Sequence, residues 1–167
     1  AENAAIEAYL QKMDRMPKRT VLQLLKREDY RELVSPFLNR NAARAWKWAG
    51  EDYRTNPKYP EHKKVLTLSG IYVRSKSEMI ICDALHAAGL PFRYECELVL
   101  DNEVFYPDFQ FRPLCFEPLI LWEHFGMMDD PVYAARAMRK LQKLIQHGWI
   151  PGVNLIITME TSDHPLD

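Results

Sequence analysis

Residues 103–126 read EVFYPDFQFRPLCFEPLILWEHFG, and two patterns within that stretch decide the fold. Residues 103–111 (EVFYPDFQF) alternate apolar and polar side chains, the two-residue period of a strand with one wet face. Residues 118–125 (PLILWEHF) are apolar almost without interruption, as a central strand covered on both faces should be. Upstream, residues 92–100 (FRYECELVL) alternate again, and Asp101-Asn102 between the two alternating runs suits a tight turn. Residues 92–111 are therefore predicted to form a hairpin. If Leu100 pairs with Glu103 across the turn, Glu95 lies directly opposite Asp108 on one face, while a slip of one residue would separate them.

Working outward, helices enclose these strands. Ser75-Lys76-Ser77-Glu78 has the spacing of a capping box and opens a helix over 76–88, which Gly89 ends. Asp130-Pro131 supplies an N-cap and a proline at the first helical position, and the helix runs to His147 before Gly148. Residues 153–159 (VNLIITM) form a last apolar strand. Helix, hairpin, buried strand, crossover helix and buried strand describe an α/β domain over 70–167, a mixed sheet flanked by helices. Residues 1–55 read as a helical extension, with stretches at 2–14, 20–38 and 41–53. Residues 56–69, polar and carrying Pro57 and Pro60, read as a linker.

Composition sets the outer bounds. The chain of 167 residues is 47% hydrophobic and 27% charged, which excludes a disordered tail or a fibre. Cys82, Cys96 and Cys115 show neither CxxC nor zinc-ligand spacing, so a reduced, cytoplasmic setting is expected. No apolar run approaches the ~18 residues of a membrane span, and a membrane partner is not expected. The chain starts at Ala1 and breaks off at Asp167, which we do not expect to be a natural end. Residues 1–70 carry 14 Lys and Arg against 9 Asp and Glu, whereas residues 71–167 carry 8 against 14. Such a split suits a polyanion-facing half joined to an acidic half, or scattered surface charge.

Among the acidic residues, Glu123 ends a strand whose preceding residues, Leu119 to Trp122, are apolar. It needs a metal, a basic partner or a raised pKa, unless the strand end has already reached solvent. Asp108 follows Pro107, which marks an edge or a bulge where a strand can re-aim a side chain; the plainer alternative is an exposed polar residue. Like charges at Glu95 and Asp108 call for a cation or a proton between them. Glu78 can answer the Ser75 cap, but it also shares a helix face with Ile81, Cys82 and Leu85, which points it towards the sheet. Tyr133 and Lys140 share one face of the crossover helix. His124 faces away from Glu123 in a regular strand, so packing or a backbone role is expected of it.

Taken in order, Val73–Glu78 (VRSKSE), Tyr94-Glu95, Tyr106-Pro107-Asp108-Phe109, Trp122–Gly126 (WEHFG) and Asn154–Thr158 (NLIIT) resemble the PD-(D/E)XK nuclease superfamily, in particular an uncharacterised bacterial branch. The resemblance covers about residues 70–160 and implies a restriction-endonuclease-like core acting as a metal-dependent endonuclease on DNA. It implies Mg²⁺ or Mn²⁺ held by Asp108, Glu123 and the carbonyl of His124, with Glu78 as an added ligand or water positioner. Hard cations of this kind take carboxylate, carbonyl and water oxygens and bridge to phosphates. The lysine that the superfamily carries two residues after the glutamate is replaced by Phe125, and Lys140 from the neighbouring helix is the substitute. Glu95 and Tyr133 are supporting candidates. If Lys140 points outward, the enzyme reading weakens and a catalytically silent DNA-binding module gains ground; a third reading is a protein-interaction domain whose acidic half binds a basic partner.

For DNA contacts, Lys18 and Arg19 belong to a basic tract over 12–27, and Arg44 and Lys47 fall at helical spacing near Trp46 and Trp48. A solvated helical surface explains each of these singly. Arg74 and Lys76, beside Glu78, are placed to hold a scissile-strand phosphate. A homodimer is one way in which such an enzyme could cut both strands.

Overall fold

The computed structural model describes residues 40–113 and 119–166; the predicted helices at 2–14 and 20–38, with Lys18 and Arg19, lie outside them, as does Cys115. Residues 40–167 form one compact unit. In chain order the elements are α1 (Arg40–Gly50), a 3₁₀ turn (Pro60–His62), β1 (Val65–Leu66), β2 (Tyr72–Val73), α2 (Lys76–Ala87) and β3 (Phe92–Tyr94). There follow β4 (Leu98–Leu100), β5 (Glu103–Phe105), β6 (Phe109–Phe111), β7 (Ile120–Phe125), α3 (Pro131–Gln146) and β8 (Leu155–Met159).

Four strands form the main sheet in the order β3-β6-β7-β8. The first two pairings are antiparallel, and β7 pairs with β8 in parallel, so the sheet is mixed and the fold is α/β. A parallel pair needs a long crossover, and α3 supplies it. Its start is built as the residue types demand. The Asp130 side chain accepts from the N–H groups of Val132 and Tyr133, and Pro131 occupies a position whose N–H has no partner within a helix.

Alternation along β7 distributes its side chains to two cores. Trp122 packs with Ile81, Cys82, Leu85, Tyr94 and Phe109 against α2. Leu121 packs with Leu144 and Leu155 against α3. The second face of the sheet is thus covered rather than wet, and Gln110, expected on a polar face, is buried with its amide donating to the Cys96 carbonyl at 2.6 Å. Glu123, two residues after Leu121, lies on the α3 side.

The hairpin keeps its predicted register but is interrupted. Leu100 faces Glu103 next to the turn, and beyond a gap Tyr94 faces Phe109 and Phe92 faces Phe111. The expected single strand over 92–100 is two strands because residues 95–97 turn to another partner. Cys96 bridges Thr55, the Asn56 N–H donates to the Glu95 carbonyl at 3.1 Å, and the Glu97 N–H donates to the Arg54 carbonyl at 2.8 Å.

The same contacts correct the expected linker. Residues 56–69 fold onto the core through the 3₁₀ turn, the β1–β2 hairpin and Lys63. Helix α1 also belongs to this unit instead of to a separate extension ending at 55. The Arg93 guanidinium is held between the rings of Trp48 and Tyr53, 4.5 and 4.8 Å from their centroids. It also donates to the Trp48 carbonyl.

Candidate acidic site at the strand ends

The site grows from the end of the β6–β7 ladder. Phe109 faces Trp122 in the last pair, so one residue further on Asp108 comes opposite Glu123. Pro107 has no N–H to give the ladder, and Asp108 lies just before β6, its carbonyl taking the Glu95 N–H while its side chain is left for β7. Its carboxylate instead takes the N–H of His124 at 2.7 Å. In an extended strand a residue's N–H and C=O project to the same edge, so the His124 carbonyl faces the Asp108 side as well.

Glu123 is 1% exposed. Its Oε2 receives Lys140 Nζ at 2.6 Å, and its Oε1 is buried with no hydrogen-bond partner. Lys140 also donates to the Tyr106 carbonyl at 3.3 Å, with 31% of its side chain exposed. About two turns nearer the start of α3, on the same face, the Tyr133 hydroxyl accepts the Gly126 N–H at 3.2 Å. Lys140 therefore points inward, at the carboxylate, and Tyr133 closes the end of β7.

Glu78 approaches from α2. Its N–H donates to Ser75 Oγ at 3.1 Å, the half of the capping box that was expected. The return bond goes one residue further back. Glu78 Oε2 accepts the N–H of Arg74 at 2.9 Å and the Tyr94 hydroxyl at 2.6 Å.

Electrostatics tie these side chains together. Burial pushes the Glu123 carboxyl up to about 8, with Asp108 repelling the ionised form and Lys140 only partly offsetting them. Burial also raises Asp108, against the pull of Lys140. Glu78 is raised by burial and then by the charge of Asp108. For Lys140, burial is outweighed by Glu123 and Asp108, so its pKa rises too. Burial is thus the first cause at each of the three carboxyls, and the repulsion of Asp108 adds to it at Glu123 and Glu78.

Glu95 differs from its expectation. Its N–H reaches the Asp108 carbonyl at 2.9 Å, so the two residues are neighbours across the strands, but the carboxylates part. That of Glu95 takes Arg74 Nε at 2.6 Å and Lys63 Nζ at 2.8 Å. Burial opposes its ionisation, yet the bonds from Arg74 and Lys63 hold its pKa below the ordinary value. Two protein cations thus do what a cation between Glu95 and Asp108 was expected to do. Arg74, expected on a phosphate, is engaged with Glu95 and with the carbonyls of Lys58 and Tyr59 at 2.6 and 2.8 Å. Lys76 is exposed at the first position of α2, and Arg44 and Lys47 are exposed on α1.

His124 supports the site from the α2 side. Its Nδ1 lies 3.0 Å from Thr158 Oγ1, which also receives the Trp122 indole N–H at 3.0 Å. Its Nε2 is 3.3 Å from Glu160 Oε1 without the alignment of a hydrogen bond. Ser77 Oγ donates to Glu160 at 2.8 Å, joining this network to α2. Gly126 leaves room for it, since a Cβ there would come within 3.2 Å of Glu160 Oε1. Sequence reasoning missed Tyr94, Lys63, Thr158 and Glu160. Tyr94 and Thr158 stood in quoted motifs, but Lys63 and Glu160 gave no local signal.

Among the described residues, no three His, Cys, Asp or Glu side chains are gathered closely enough to enclose a metal ion by themselves. A cation here would rest on a mixed set: the two facing carboxylates of Asp108 and Glu123, the His124 carbonyl and water. The buried, unpartnered Oε1 of Glu123 and the uncompensated negative charge both fit such an ion.

No protein-family model matches the chain, and no solved structure does. The chain is 31% identical over 78 residues to Uncharacterized protein MJ1519 of Methanocaldococcus jannaschii. Those residues are 47% of this chain and 6% of that protein, so the chain spans a small fraction of the relative's length. No helix among the described residues is long and apolar enough to cross a membrane.

Proposed function

We propose that the chain carries a restriction-endonuclease-like, metal-dependent nuclease that hydrolyses phosphodiester bonds, with DNA as its substrate. The observation that carries this reading is the meeting of Asp108, Glu123 and Lys140, from two strands and a crossover helix, around a buried carboxylate oxygen that lacks a partner. Glu78, from a third direction, adds its charge to the same field.

Asp108, Glu123 and the His124 carbonyl would hold Mg²⁺ or Mn²⁺. When bound, the ion supplies an acidified water and neutralises charge on the departing oxygen. The protein's own residues do the rest. Asp108 is oriented by the His124 N–H, so its carboxylate keeps one setting. Lys140 brings the positive charge that the superfamily otherwise places at position 125, where Phe125 is buried. From there the ammonium steadies either the attacking water or the negative phosphate. Glu78 would serve as a proton acceptor for that water, its pKa raised by burial and by the charge of Asp108. Lys76, exposed at the head of α2, is placed for a neighbouring phosphate.

The test is plasmid nicking with Mg²⁺ or Mn²⁺, with and without EDTA, by the wild type, Asp108→Ala and Glu123→Ala. Cleavage should require the metal and vanish in both variants while their far-UV circular dichroism is unchanged. Cleavage retained in both variants removes the proposal, and metal-independent salt-sensitive binding without cleavage would favour the silent DNA-binding module.

A further inference from the structure

The reaction gives no part to Tyr94-Glu95, although the pair is one of the motifs in the sequence. In a regular strand successive side chains point to opposite faces. At Glu95 φ is +45°, in the left-handed region that a glutamate rarely adopts, and the β3–β6 ladder opens there. Such a conformation persists only where its surroundings over-determine it. Here the surroundings are Arg74 and Lys63 on the Glu95 carboxylate and Asn56 on its carbonyl.

The break lets both side chains serve one segment. The Tyr94 hydroxyl donates to Glu78 Oε2 at 2.6 Å. Glu95 holds the Arg74 guanidinium through Nε at 2.6 Å and Nη2 at 3.1 Å, and the backbone N–H of Arg74 donates to that same Oε2 at 2.9 Å. Tyr94 is itself fixed by packing: it is 4% exposed, and its ring centroid lies 5.4 Å from that of Phe109.

We propose that Tyr94 and Glu95 are positioning residues which together fix Oε2 of Glu78, so that this carboxylate offers only Oε1 to the water on the cation. The inference rests on the nuclease reading above. It assigns Tyr94-Glu95 a task that neither hairpin pairing nor core packing requires, since a phenylalanine would pack as well at 94.

The test compares wild type, Tyr94→Phe, Glu78→Gln and the double variant, reading Mn²⁺ affinity by calorimetry beside cleavage rate and melting temperature. Loss of an outer hydrogen bond to a metal-site ligand weakens metal binding or activity by roughly 10- to 100-fold. Tyr94→Phe should therefore weaken Mn²⁺ binding and lower kcat by about 10-fold or more, with KM for DNA within about twofold. Adding it to Glu78→Gln should change neither further. A merely structural Tyr94 would lower the melting temperature and leave Mn²⁺ affinity intact, and that result overturns the proposal. Should Tyr94→Phe fail to fold, Glu95→Gln carries the same comparison, with the same loss expected. Wild type that binds Mn²⁺ and cleaves, with Tyr94→Phe indistinguishable from it, overturns the positioning pair alone. Wild type that binds no Mn²⁺ overturns the metal reading, and the positioning pair falls with it.

Discussion

Replacing Glu123 by glutamine removes one charge from the acidic cluster and leaves the side chain's shape unchanged. Burial and then Asp108 lift this carboxyl from 4.5 to about 8, a value that already includes the pull of Lys140. At roughly 1.4 kcal/mol per pKa unit, holding Glu123 ionised costs the folded state up to about 5 kcal/mol relative to the unfolded chain. A carboxyl raised on folding adds stability that is complete below its unfolded pKa and is lost as pH climbs through the folded one. In EDTA the wild type should therefore lose stability from this group between pH 4.5 and about 8. Glu123→Gln should match the wild type near pH 4 and exceed it at about pH 9, by an amount approaching that ceiling. Urea unfolding followed by tryptophan fluorescence across that range measures the difference. Saturating Mg²⁺ should restore the wild type at high pH and do nothing for the variant, because an ion that binds only the folded state stabilises it. A variant less stable than the wild type at pH 9 would refute the reasoning, since it would mean that Lys140 stabilises the ionised carboxylate by more than burial opposes it.

Lys140→Met should lower the cleavage rate by roughly 10²- to 10³-fold while Mn²⁺ binding survives, and an unchanged rate would deprive Lys140 of its role. Arg74 and Lys76 separate structural from phosphate-binding charge. Arg74→Ala breaks a largely buried pair and should cost roughly 3–5 kcal/mol in a denaturant melt, without altering the salt dependence of DNA binding. Lys76→Ala should leave stability alone and reduce the salt slope by about 1, and the opposite pattern would reverse their assignments.

Much of the scaffold could be read from local pattern. The apolar runs of β7 and β8, the caps at Ser75 and Asp130 and the turn at Asp101-Asn102 each act over a few residues, and each appears where its pattern put it. The facing of Asp108 and Glu123 followed less directly, because it needed the β6–β7 register as well as each strand's own alternation. What escaped reading lay in distant partners. Nothing around Glu95 announces a left-handed residue, since the cations that hold it there are 32 and 21 positions away in the chain. The prolines and polar residues of 56–69 look like a linker because their side chains face solvent, yet Lys63 turns in to Glu95. Arg74 was expected on a phosphate because its sequence neighbourhood is that of Glu78. Its carboxylate partner becomes visible only once β3 is folded beside it.

The parallel pairing of β7 with β8 has one more consequence. The strand that carries Glu123 has its outer flank supplied by β8, which follows only after the 16-residue helix α3 and its two connections. A proteolytic nick or premature stop ahead of Leu155 would leave a six-residue, largely apolar ribbon with one bare edge. Bare edges recruit other chains. Shortened versions of this protein should therefore clump before they lose their acidic cluster, and a fragment that keeps the sheet intact has to extend past Met159.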